Sequence, residues 1–281
     1  MILFVFEGAE REPDIFQSIE NLFFDAERAG NRVVCTYNTN IYGLYSHMKR
    51  LGAGADIVGC LQARNTDAHA EIMKYRSQDF AEIFLFFDYD FHHHPSGLPL
   101  NIDENIRKVK DMLSYFDNET DNGKMYINYP MVESLNYTRR LPDAGYPTYS
   151  VGIQDSRNFK RLTSGFSAFG NYDHLSVERR GHAAVMNIWE RLTIQNVVKA
   201  NYIETGSVAL TDRKQPFDNS RLHDSQISRY GKERVGVLNS FPLFIYEYFN
   251  STGFTISKFL VRKYLLMAKV RVFAKKYFNG Y

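Results

Sequence analysis

The sequence predicts an α/β protein, a mostly parallel sheet flanked by helices, with an α-helical C-terminal extension. Three observations carry this. Up to about residue 144, short apolar runs of strand length alternate with amphipathic helical patterns. The runs are continuous rather than alternating, the form expected of strands buried on both faces of a parallel sheet. Beyond Ala144 a Gly/Ser/aromatic-rich stretch leads into helical patterns. The reading is an α/β domain over 1–144 and a helical extension over 145–281 that ends in a basic amphipathic helix.

The elements follow in order. Ile2 to Phe6 is an apolar run ended by Glu7-Gly8, a strand. From Asp14 to Ala29 apolar residues recur at helical spacing and stop at Gly30-Asn31. A second strand spans Arg32 to Tyr37, with helices expected at Ile41–Leu51, Asp56–Ala63 and Asp67–Phe80. Ile83 to Phe87 is a strand running directly into Asp88-Tyr89-Asp90. A loop with His92-His93-His94-Pro95 precedes a helix over 102–116 and a short strand over 125–128. Pro130, suited to a first helical turn, opens a helix carrying Glu133. Helical patterns then cover 174–200, 219–231, 233–249 and 255–278.

Composition limits the classes of function. With 281 residues, 44% hydrophobic and 23% charged, the chain can bury a sizeable core, which excludes intrinsic disorder. Two cysteines, Cys35 and Cys60, make neither a disulfide framework nor a zinc pattern, and point to a reducing compartment. The start has no basic residue before its apolar stretch and meets an acid at Glu7, unlike a signal peptide, and no stretch approaches the roughly 18 apolar residues of a membrane span. A cytoplasmic protein with no membrane partner is the expectation. The net charge of +2 is a sum of opposites. The last 28 residues hold seven basic residues and no acid, leaving 27 basic against 32 acidic elsewhere.

Three acids sit at strand ends: Glu7, Asp88 and Asp90. Residues two apart in an extended segment point to one side, so Asp88 and Asp90 can present both carboxylates to one point. Hard oxygen ligands at that spacing suit Mg²⁺ or Mn²⁺ completed by water and phosphate. If the first strand neighbours the third, Glu7 joins them. The three adjacent histidines read as an exposed loop, with the alternative that one of them reaches phosphate or a proton near Asp90. Lys160 and Arg161, and Arg262, Lys263 and Lys269 of the terminal helix, are candidate nucleic-acid phosphate contacts; that helix also suits an acidic partner protein.

The blocks FVFEGAEREPDIF at 4–16 and FLFFDYD at 84–90 resemble the Glu-Gly and DxD motifs of Toprim-domain nucleases. Closest is the RloB-like and AbiLii-like branch related to OLD nucleases. That branch continues to a second Glu with Pro and an aromatic, here Glu12-Pro13 and Phe16, and to an Asn-Pro-then-Glu element. Here Asn128-Tyr129-Pro130 with Glu133 is similar, with one residue between Asn and Pro. The resemblance covers about 1–140. It implies a Mg²⁺-dependent nuclease acting on DNA or RNA, with Glu7 as acid/base or ligand, Asp88 and Asp90 as metal ligands, and Glu12 and Glu133 as secondary ligands. It further implies an anti-phage defence role alongside an ABC-type ATPase, with oligomeric state open. For Glu12 and Glu133 the alternative is an acid placed for a helix macrodipole. Two other functions compete, a DxD-dependent nucleotide-sugar glycosyltransferase and a non-catalytic Toprim-like binding or regulatory subunit.

Overall fold

A computed structural model of the chain describes residues 1–24, 31–52, 55–64, 72–94, 99–169, 171–210, 217–249 and 254–278. It is an α/β fold built as two compact units, Met1–Asn128 and Tyr129–Tyr281. The division falls at the end of the last sheet strand, before the change of sequence pattern near Ala144.

The first unit is a five-stranded sheet in the order β2-β1-β3-β5-β4. Its strands are β1 (Ile2–Phe6), β2 (Arg32–Thr36), β3 (Glu82–Asp88), β4 (Asp117–Asn118) and β5 (Gly123–Asn128). The contacts β1–β2, β1–β3 and β3–β5 are parallel, and β4 adds an antiparallel edge. Leu3 to Phe6 and Ile83 to Phe87 are all buried, as the continuous apolar runs predict. Register aligns Phe4 with Phe84, and Phe6 with Phe86, which aligns in turn with Tyr126. Their rings form a ladder, with centroids 5.5 Å, 5.5 Å and 5.2 Å apart. Phe16 of helix α1 (Arg11–Phe23) covers that face, its centroid 4.2 Å from Phe4. On the opposite face Phe87 meets Tyr37, whose hydroxyl shares a 2.7 Å hydrogen bond with His47 Nδ1 on α2 (Ile41–Leu51).

α1 ends earlier than its periodicity suggests. Phe24 turns extended and packs its ring against Phe4 and Phe16, with the Arg32 guanidinium over it. Residues 25–30, including the Gly30 stop, lie outside the described residues. α2 is capped by Asn40, whose side chain accepts from Gly43 N, and ends at Gly52 with φ +86. α3 (Ile57–Arg64) forms close to its expected place. The helix expected over 67–80 falls partly outside the described residues. Where described, it is two single 3-10 turns, Ile72–Lys74 and Ser77–Asp79. The Asp79 carboxylate accepts the Arg76 N–H at 2.7 Å and closes a tight turn instead of continuing a helix. α4 (Ile102–Tyr115) is capped by Asn101, as a polar N-cap before an amphipathic run predicts.

Gly123, which starts β5, has φ +109, and a Cβ there would sit 2.8 Å from Leu85 Cδ1 and 3.0 Å from Ile83 Cγ2. Gly123→Ala combines left-handed strain with overpacking against β3, and is expected to cost at least about 2 kcal/mol, read as a lower denaturant midpoint.

The second unit is mainly helical: α5 (Ile153–Ser156), α6 (Phe159–Phe166), α7 (Val177–Arg180), α8 (His182–Thr205), α9 (Asn219–Tyr230), α10 (Phe241–Tyr248) and α11 (Lys258–Phe278). It also holds an antiparallel pair, β6 (Ser150–Gly152) with β7 (Arg234–Gly236), so the helix expected over 233–249 begins as a strand and is helical only in α10. The pattern over 174–200 is broken at Gly181, whose φ of +81 separates α7 from α8. The helix expected to open at Pro130 is a 3-10 helix, Val132–Asn136. Tyr129 instead exchanges both backbone hydrogen bonds with Leu238 as a bridge, which holds the chain extended through Met131. α8 is the core of this unit, with Trp189, Leu192, Ile194, Val197 and Val198 fully buried. No helix among the described residues is long and apolar enough to cross a membrane.

Candidate functional site

The strand order places β1 between β2 and β3, so the chain leaves β1 toward one side and returns to its other side. Such a reversal parts the loops at the carboxyl ends of two neighbouring strands and opens the crevice where open parallel sheets bind ligands. Here the switch point is at the ends of β1 and β3, where Glu7, Asp88 and Asp90 stand.

The backbone makes the opening. Glu7 N–H donates to Phe86 O at 3.0 Å, the last rung between β1 and β3. The Glu7 carbonyl then turns to the other neighbour and accepts Asn38 N–H at 2.8 Å. Its side chain takes over on the β3 side, with Glu7 Oε2 accepting the Asp88 N–H at 2.9 Å. Glu7 is therefore fixed against the DxD segment by the Asp88 main chain. Asp88 is fixed in turn by Asn128, its register partner at the end of β5, whose Nδ2 donates to Asp88 Oδ1 at 3.1 Å. The Tyr89 N–H donates to Asn128 O, and the Tyr89 ring stacks on Phe91 at 5.3 Å, both buried. Asp88 and Asp90 stay partly exposed on either side of the buried Tyr89. Asp90 has φ +34, a left-handed turn that ends the extended segment.

Glu12 also belongs to this cluster. It lies in the first turn of α1, is 4% exposed, and its Oε1 accepts the Gly8 N–H at 3.3 Å. A Cβ on Gly8 would stand 3.0 Å from Glu12 Oε2, so the glycine lets the turn close over that carboxylate. The Glu7 carboxyl is pushed well above the usual carboxylate range by burial first, then by the Asp90 charge; the Asp88 N–H pulls it down, and Glu12 raises it further. The Asp90 and Glu12 carboxylates thus both act on Glu7 at the switch point.

Among the described residues, no group of three or more His, Cys, Asp or Glu side chains is arranged as a metal cage. The cluster is an electrostatic neighbourhood, with Glu7 and Glu12 each committed to a backbone N–H. That chemistry suits a hard cation held through one or two carboxylates and several waters, the habit of Mg²⁺.

The other sequence candidates lie on other elements. Glu133 lies on the 3-10 helix of the second unit. Lys160 and Arg161 are exposed on α6, and Arg262, Lys263 and Lys269 are exposed on α11. The histidine run is less exposed than its loop context suggests. His93 stacks on Tyr42 with centroids 4.7 Å apart, its Nδ1 lies 3.1 Å from Asn40 Nδ2, and its carbonyl accepts from Asn105 Nδ2 at 2.6 Å. Burial pushes its pKa down, against the opposing pull of Asp90. His94 is exposed.

Sequence reasoning did not count Asn128 among the site residues. The signal was there: it is the polar residue that ends a strand, as Glu7 and Asp88 are. Compared with protein-family models, with curated proteins and with solved structures, the chain matches none.

Proposed function

We propose that the first unit is a Mg²⁺-dependent nuclease of the Toprim type, cleaving phosphodiester bonds in DNA or RNA. The observation that carries the reading is the meeting of Glu7 with the Asp88-Tyr89-Asp90 segment at the switch point of a parallel sheet, through a direct hydrogen bond. A glycosyltransferase reading of the DxD segment leaves Glu7 without a role. Asp88 and Asp90 would hold the cation, with Asn128 keeping the Asp88 carboxylate aimed. Bound there, Mg²⁺ would supply charge neutralisation at the phosphate and a more acidic water. Glu7, hydrogen-bonded to the Asp88 main chain, would complete the ligand set or move a proton at the scissile group. Glu12 anchors Gly8, and with it the turn that follows Glu7.

The test is metal-dependent cleavage of single- and double-stranded DNA and RNA, paired with a binding measurement that needs no turnover. Mg²⁺ at ten to a hundred times its Kd should stabilise the wild-type protein by about 1.4–2.7 kcal/mol. Asp88→Asn and Asp90→Asn should each abolish both that thermal shift and the cleavage while keeping the circular-dichroism spectrum. Cleavage by both variants at the wild-type rate would remove the assignment.

A further inference from the structure

α11 carries two apolar faces. One is docked: Tyr264 and Ala268 are fully buried in a cluster with Ile194 and Val198 of α8, and Tyr264 Oη donates to Asp143 O at 3.1 Å. The other is open. Phe259, Leu266, Val270, Phe273 and Tyr277 are 77%, 68%, 62%, 58% and 58% exposed, five of the nine exposed large hydrophobics among the described residues. Scattered exposed apolar residues need no explanation, but these are aligned. At ~100° per residue their positions fall within an arc of about 60°, a stripe about 27 Å long. Because the helix is anchored by its other face, the stripe is not the inner side of an undocked helix.

The spacing of the stripe, 7, 4, 3 and 4 residues, is that of the a and d positions of a heptad repeat, with Phe259, Leu266 and Phe273 at d, and Val270 and Tyr277 at a. In this register Arg262, Lys269 and Lys276 occupy successive g positions, a row of cations along one border at intervals of seven. Lys263 takes the remaining a position. Leu260, Met267 and Ala274 fall at e, so no acid borders the seam, and none occurs from Phe254 to Tyr281.

We propose that this face is the docking seam for an acidic amphipathic helix of a partner protein, with apolar a and d residues and Asp or Glu at the positions that meet Arg262, Lys269 and Lys276. Charge excludes a second copy of α11. An antiparallel copy sets the row of g cations against itself, and a parallel copy offers no acid at e and sets Lys263 against Lys263. Shape argues against a lipid surface. An interfacial helix buries a broad apolar face, whereas the docked side of α11 leaves only this narrow seam with a cation row beside it. An acidic helix answers both features, through the apolar seam for affinity and the g row for orientation and choice of partner.

The full-length protein is titrated with two synthetic 21-residue helical peptides, both with Leu at a and d, one with Glu and one with Lys at e and g. The expected result is saturable binding of the Glu peptide, at least tenfold tighter than the Lys peptide. Leu266→Asp should abolish that binding. The triple variant Arg262→Glu, Lys269→Glu, Lys276→Glu should reverse the preference, which a fold defect would not do. Equal affinity for both peptides, or binding of neither, overturns the proposal. So does a wild-type dimer in light scattering that Leu266→Asp dissociates, or partition onto phosphatidylserine vesicles that the same variant loses. Binding of a single-stranded oligonucleotide that the triple variant loses and Leu266→Asp keeps, with no Glu-peptide binding, assigns the cations to nucleic acid and also overturns it.

Discussion

Glu7→Gln is expected to raise the melting temperature of the metal-free protein at pH 7.5 while lowering Mg²⁺-dependent cleavage by about 10³-fold or more. Both effects arise from one carboxyl group. Its pKa in the fold is raised, chiefly by burial and by Asp90. Below the unfolded-state value of 4.5 both folded and unfolded chains hold the proton, and the group imposes no penalty. As pH rises past that value the unfolded chain ionises first, so stability falls until the pH has passed the folded value and then levels off. Glutamine is nearly the same size and its Oε1 can still accept the Asp88 N–H, but it carries no charge. The gain should therefore be absent near pH 4 and present at pH 7.5, a rise of about 2–4 °C if the relief is on the order of 1 kcal/mol. Mg²⁺ should narrow the difference, because the wild-type site gains more from the cation. Differential scanning calorimetry in EDTA and in Mg²⁺, at both pH values, measures all four arms. A lower melting temperature for Glu7→Gln in EDTA at pH 7.5 would mean that the carboxylate stabilises the fold without a cation, and the charge cluster would lose its meaning. Stability exchanged for activity at a single side chain is the usual mark of a functional position.

The sheet was legible in the sequence where its strands are buried on both faces. The runs at Ile2–Phe6 and Ile83–Phe87 have no competing period, and α2 and α4 carry their own polar caps, Asn40 and Asn101. Glu7, Asp88 and Asp90 were legible because the strand ends were. Three of the departures were decided by contacts distant in sequence. Phe24 leaves α1 to join the Phe4–Phe16 cluster, the Tyr129–Leu238 bridge holds the chain extended past Pro130, and β7 pairs with β6 across the second unit. Apart from Phe16, none of these partners lies within the window that a periodicity reads. Asn128 shows the same limit within the site, since its importance rests on its register opposite Asp88. On α11 the interleaved apolar and basic residues read only as a basic amphipathic helix. The open stripe appears only once Tyr264 and Ala268 have used the other face.

Lys199→Ala is expected to destabilise the second unit by about 3–5 kcal/mol, through a cavity and through hydrogen-bonding groups left without a partner in the interior. Lys199 is fully buried in α8, and its Nζ donates to Pro147 O at 2.8 Å and Tyr149 O at 2.7 Å and lies 2.9 Å from Tyr230 Oη. Three parts of the unit meet at this one nitrogen: α8, the segment leading into β6, and the end of α9. Burial lowers its pKa well below the usual lysine value, and the nearby Lys275 and Arg229 charges lower it further. Nζ donates to all three oxygens, the two carbonyls and Tyr230 Oη. Where the unfolded chain holds the lysine proton and the folded chain does not, stability rises with pH; below the folded value the protonated form carries a constant penalty. Lys199→Met preserves volume and removes the ionisable group. It should cost less than alanine, and the gap between it and wild type should widen as pH rises toward 10. Trp189, the sole tryptophan and fully buried on the same helix, reports this unfolding directly by fluorescence. A methionine variant as stable as wild type across pH 6–10 would show that the three hydrogen bonds merely offset the burial of the amine, and that α8 is held by its apolar packing alone.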